Sequence, residues 1–68
     1  MKLPEATKKY KTGDTTIYQF TGENKETDIV IINKFKSGYE VEVNKHKLFK
    51  RTDGLKNMTE VQNWLDKI

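Results

Sequence analysis

The sequence predicts a small α+β domain, an antiparallel sheet of three to four strands packed by one C-terminal amphipathic helix. Three observations carry that expectation. Residues 29–35 (IVIINKF) and 39–43 (YEVEV) are two strand-like runs separated by a short loop containing glycine. Residues 58–68 place Met58, Val61, Trp64, Leu65 and Ile68 on a single helical stripe. The chain has 68 residues and no cysteine, so one core must serve residues 1–68 without disulfide or thiolate–metal support.

The first dozen residues carry the least apolar signal, because Pro4 sits among charges and only Leu3 and Tyr10 offer contact area. Residues 1–12 are therefore expected to be disordered or to supply a short edge strand, Lys8 to Thr12, turning at Gly13-Asp14. Thr15 to Thr21 (TTIYQFT) is rich in β-branched and aromatic residues and reads as a strand. Gly22 to Asp28 is polar and reads as a loop, with Glu23, Glu26 and Asp28 around Lys25.

Ile29 to Phe35 gives the strongest strand signal, and its four consecutive β-branched apolar residues suit a central position. Lys36-Ser37-Gly38 is the expected connecting loop. In the next strand Tyr39, Val41 and Val43 share one face and Glu40 and Glu42 the other. On this reading Val30 and Ile32 lie beside the two glutamates, away from the helix. If exposed there, they form a partner interface or dimer seam; otherwise the N-terminal segment covers them.

Asn44 to Lys47 interrupts the alternation. Either residues 39–49 are one bulged strand, or a tight turn leads into a further short strand at Leu48-Phe49, and the turn is favoured. Thr52-Asp53-Gly54 is expected to break the chain before the helix. Asn57 is a suitable N-cap, with Glu60 completing a capping-box pattern. Trp64 is expected at the centre of the helix–sheet contact, where Trp64→Ala would cost about 3–5 kcal/mol.

The side-chain inventory argues against catalysis. The single serine, Ser37, and single histidine, His46, fall in separate polar segments, and no nucleophile stands beside a base. One imidazole without thiolates does not make a zinc site, and the acidic loop lacks the alternating ligands of a calcium loop. The glycines are isolated, so no phosphate-cradling motif is present. No catalytic residue, metal, cofactor or small-molecule substrate is expected. No apolar run approaches the roughly 20 residues needed to span a bilayer, and the lysines near the N-terminus precede no apolar h-region. The expectation is a cytoplasmic protein, and a lysine-to-arginine ratio of twelve to one associates it with a bacterial or phage source.

Charge is unevenly placed. Residues 1–13 carry +3, residues 14–33 carry −3, residues 34–51 carry +4 and residues 52–68 carry −1. Lys34, Lys36, Lys45, Lys47, Lys50 and Arg51 form the basic middle, which suits phosphate contact. A three-stranded sheet followed by a C-terminal helix, with the terminal pattern Leu55, Glu60, Trp64 and Leu65, also resembles, over residues 29–68, the small DNA-binding domain at the N-terminus of some tyrosine integrases. That resemblance implies a three-stranded sheet with a C-terminal helix, and a sheet face that meets DNA. Two features depart from it: Glu40 and Glu42 would line that face, and Arg51 is the only arginine available for base edges. The expectation is thus a non-catalytic accessory protein acting by protein–protein contact, as a homodimer or with a foreign partner. Nucleic-acid binding through residues 34–51 is the alternative.

Overall fold

The computed structural model describes residues 1–23 and 26–68. Its strands follow one another in space as they do in the chain: β1 (Lys8–Thr12), β2 (Thr15–Thr21), β3 (Thr27–Phe35), β4 (Gly38–Lys45) and β5 (Leu48–Leu55). Every neighbouring pair is antiparallel, and the helix α1 (Met58–Leu65) closes the order. The α+β class is as expected, but the sheet has five strands rather than three or four.

The extra strands come from the two ends of the sheet. β1 pairs with β2 from Lys8 opposite Gln19 to Thr12 opposite Thr15, leaving Gly13-Asp14 as a two-residue turn. At the other edge the chain turns at His46-Lys47, with His46 at φ 52°, and β5 then runs well beyond Leu48-Phe49. Thr52-Asp53-Gly54 does not break it. Tyr39 pairs with Leu55 but Val41 pairs with Thr52, so Asp53 and Gly54 together oppose Glu40 in a bulge. Gly54, at φ 72°, absorbs the extra residue. The bulge also returns Leu55 to the side of Tyr39, from which the chain enters α1.

The β3–β4 turn corrects the expected faces. Phe35 pairs with Gly38, so the loop is Lys36-Ser37 alone and Gly38 belongs to β4. A loop one residue shorter shifts the register by one, and in a strand that moves every side chain to the other face. Val30 therefore lies opposite Val43, and Ile32 opposite Val41, all on the helix side. Val30, Val41 and Val43 are fully buried and Ile32 is 3% exposed, so Val30 and Ile32 are core residues and not a partner surface. The residues that share a face with Glu40 and Glu42 are instead Ile29 and Ile31. Thr27 and Asp28, placed in the loop by the polarity of that segment, are the first two residues of the same strand.

Val61 and Leu65 of α1 close this core, both fully buried, while Trp64 and Ile68 pack at its margin. Trp64 is thus not the centre of the contact. The cap is as the sequence predicts, with Asn57 Oδ1 accepting from the Glu60 backbone N–H at 2.9 Å. The reciprocal bond is shifted by one residue, since Glu60 Oε2 accepts from the Lys56 N–H at 3.2 Å.

Residues 1–3 are held against α1, and Thr7 is held to β2 by bonds with Gln19 and Thr21. A 3-10 turn at Leu3–Glu5 drives Leu3 into the core. Gln62 holds it on both sides of its amide: Oε1 accepts from the Leu3 N–H at 3.0 Å, and Nε2 donates to the Met1 carbonyl at 2.6 Å. Lys2 pairs with Asp66 at 2.9 Å.

Candidate functional site

The alternation in KKYKT decides where the β1 lysines point. Lys9 pairs with Tyr18 and Lys11 with Thr16, and those partners in turn pair with Val30 and Ile32. Lys9 and Lys11 therefore stand on the helix side, while Lys8 and Tyr10 stand on the open side. Between this β1–β2 edge and α1 the surface sinks into a furrow. One end is lined by Leu3, Pro4, Ala6, Tyr18 and Gln62. It runs past Lys9, Lys11, Thr16, Lys34 and Tyr39, with Met58 along one wall. It opens at the β3–β4 turn between Phe35, Lys36 and the Lys56-Asn57 entry to the helix.

Five exposed lysines line this one surface: Lys9, Lys11, Lys34, Lys36 and Lys56. None of them forms an ion pair among the described residues. Asp14, in the β1–β2 turn, is the only carboxylate lining the furrow among the described residues. The Asp14 carbonyl accepts from the Lys34 N–H at 2.9 Å, which ties the β1–β2 turn to the end of β3. Lys9 Nζ lies 5.5 Å from the centre of the Tyr18 ring, within cation–π range. Phe35, at 55% exposure, borders the open end but, one residue on from Lys34, projects to the other face of the sheet.

The basic residues singled out from sequence do not converge. Lys34 and Lys36 are at the furrow. Lys45 and Lys47 lie at the opposite end of the sheet, at the β4–β5 turn, and Lys50 lies on the far edge strand. Arg51 is on the open face between Glu40, at 2.6 Å, and Glu42, at 3.6 Å. The Arg51 guanidinium holds the Glu40 carboxyl below its ordinary pKa, helped by the Asn33 amide, and Glu40 raises Arg51 in return. Both glutamates therefore face away from the furrow lysines.

Sequence reasoning passed over Lys9, Lys11 and Lys56. The signal available for the first two was the alternation of β1 against Tyr18. Lys56 joins them only through the tertiary placement of α1, which no local pattern carries.

Ser37 and His46 sit in the turns at opposite ends of β4, an eight-residue strand spanning roughly 25 Å. His46 instead meets Glu26, Nε2 to Oε2, at 2.5 Å. Among the described residues no three His, Asp or Glu side chains come together as a metal site would require. Among the described residues no helix is long and apolar enough to cross a membrane. The chain matches no family model, and no curated protein or solved structure resembles it significantly.

Proposed function

We propose that this chain is a non-catalytic binding protein whose ligand is the phosphate backbone of a nucleic acid, laid along the furrow between the β1–β2 edge and α1. The observation that carries this reading is the set of five unpaired lysines around a single carboxylate. Each lysine that neutralises a phosphate releases condensed counterions, so affinity comes from charge rather than from shape.

The objection that favoured a protein partner was that Glu40 and Glu42 would interrupt the basic surface. They lie on the other face, occupied with Arg51. No arginine lines the furrow, so base-edge recognition is weak and binding is tolerant of sequence. Separation of Ser37 from His46 supports the non-catalytic part of the reading.

Fluorescence polarisation with labelled single- and double-stranded DNA tests it. If all five lysines meet phosphates, the slope of log K against log salt is about −3.5 for single strands and about −4.5 for duplex. Lys9→Glu/Lys11→Glu/Lys34→Glu abolishes binding, while Lys45→Glu/Lys50→Glu leaves most of it. Absence of binding to either DNA at low salt would overturn the proposal and return an acidic protein as the partner.

A further inference from the structure

The two sides of the furrow differ in chemistry. Lys9 and Lys11 stand along the β1 side, and Lys34, Lys36 and Lys56 gather at the open end. The α1 side presents Met58, which is 38% exposed, lies outside the core cluster and reaches every part of the furrow. At the other end the N-terminal segment crosses from α1 to the sheet. Gln62 Oε1 accepts from the Leu3 N–H at 3.0 Å, and four residues on the Thr7 N–H donates to the Gln19 carbonyl at 2.7 Å. That crossing sets Leu3, Pro4 and Ala6 into the lining, where Lys9 is the single charged residue. A site built for phosphate alone gains nothing from this apolar side.

We propose, resting on the nucleic-acid reading, that the furrow takes an unpaired strand rather than a duplex. Its phosphates meet the lysines of β1 and the open end, and its base faces lie against Met58, Pro4 and Ala6. An unpaired strand offers both chemistries at once, an anionic backbone and exposed base faces. In a duplex the base faces are stacked inside, so the apolar side would meet only sugar and phosphate.

The width of the furrow favours the same form. Neighbouring strands lie about 4.8 Å apart, so the five-stranded sheet is about 19 Å across. α1 with its side chains covers about 10 Å of it. The strip left on the β1 side is narrower than the major groove of a duplex, which is about 12 Å wide. One strand enters it, and a duplex can only rest on its rim. Along that rim Met58 to Asp66 carries Glu60 and Asp66 and no lysine or arginine, so nothing there draws a second backbone.

Charge alone points the other way, which makes the inference sharp. Each phosphate neutralised contributes about 0.9 to the salt slope in a duplex and about 0.7 in a single strand, so a purely basic furrow prefers the duplex. A preference for the single strand has to come from contact with bases.

Fluorescence polarisation on the full chain compares three probes of about 15 nucleotides: oligothymidylate, the abasic deoxyribose-phosphate strand and a duplex. Oligothymidylate is expected to bind about tenfold more tightly than either of the others. Met58→Ser, which keeps its circular dichroism spectrum, weakens oligothymidylate about fivefold and leaves the abasic strand and the salt slope unchanged. Met58→Phe restores the affinity. Lys11→Ala/Lys34→Ala weakens all three probes, because it removes phosphate contacts. A duplex or an abasic strand bound as tightly as oligothymidylate overturns this inference and leaves the phosphate reading standing. So does a folded Met58→Ser that binds oligothymidylate as the wild type does. Binding to none of the three at low salt removes the phosphate reading and this inference with it.

Discussion

A Cβ placed on Gly38 would stand 2.7 Å from the carbonyl oxygen of Leu55. This closeness is the counterpart of the β5 bulge. Asp53 and Gly54 crowd opposite Glu40, and the strand swings Leu55 back against the start of β4. Gly38 also holds φ 135°, where L side chains are strained. Gly38→Ala is therefore expected to destabilise the fold by about 1–3 kcal/mol, through overpacking against backbone that cannot step aside. Gly22 provides the control: a Cβ there meets nothing closer than the Glu26 carbonyl at 3.9 Å. Urea unfolding should show a lower midpoint for Gly38→Ala and little change for Gly22→Ala.

The centre of the helix–sheet contact gives a second expectation. Leu65 is fully buried, and the helix holds its side chain against Val30, Val41, Val43 and Val61. Leu65→Ala leaves a cavity that rigid strands cannot fill and should cost about 2–5 kcal/mol. Trp64 packs only at the margin, so Trp64→Ala removes area without opening the core. Thermal or urea denaturation should rank Leu65→Ala as the more damaging of the two, although tryptophan is the larger residue.

Why the sequence suggested the reverse is a matter of which rules act locally. Strand existence, the β1–β2 turn and the Asn57 cap depend on neighbours in the chain, and each stands where the residues put it. The faces of β3 depend on a single residue of loop length. Gly38 reads equally well as a loop glycine and as the first residue of a strand that must admit Leu55. Choosing the loop moved Val30 and Ile32 to the wrong side and hid Ile29 and Ile31. The break expected at Thr52-Asp53-Gly54 fails for a related reason, since a glycine that ends one strand elsewhere here carries a bulge within it. At the furrow, Lys34 and Lys36 were legible from their hairpin. Lys9, Lys11 and Lys56 come from an edge strand and a helix entry that only the packed fold brings alongside.

Gln62 gives a third expectation. Its amide bonds the Leu3 N–H and the Met1 carbonyl at once, so a single side chain locks residues 1–3 to α1. Gln62→Ala removes both bonds and the one Nε2 donates to Asp66, and should cost about 1–3 kcal/mol, at roughly 1 kcal/mol for each bond. Gln62→Glu keeps the acceptor for Leu3 but loses the donor to Met1 and Asp66 and sets a second carboxylate beside Asp66, so it should destabilise as well. Amide hydrogen exchange at Leu3 checks the mechanism, because protection there should drop far more than at Val61 or Leu65.

The acid limb of stability follows from two carboxylates on different elements. Lys2 holds the Asp66 carboxyl below its ordinary pKa, with help from Gln62 Nε2, which donates at 2.9 Å. Arg51 does the same for Glu40 across the β4–β5 pair, and Asn33 adds a bond at 3.3 Å. Both groups bind protons more weakly folded than unfolded. Their contribution is therefore fully present above the ordinary carboxylate pKa of about 4 and is lost as pH falls below it. Stability should be flat from neutral pH down to about 5 and then decline. In carboxyl-detected NMR, Glu40 and Asp66 should titrate below their ordinary values. Both pairs are exposed to solvent on at least one side, so salt should soften the decline. Arg51→Gln should raise the Glu40 midpoint while leaving Asp66 in place, because the two sites share no partner. A shift of both together would mean that the acid transition reports global unfolding rather than these two carboxylates.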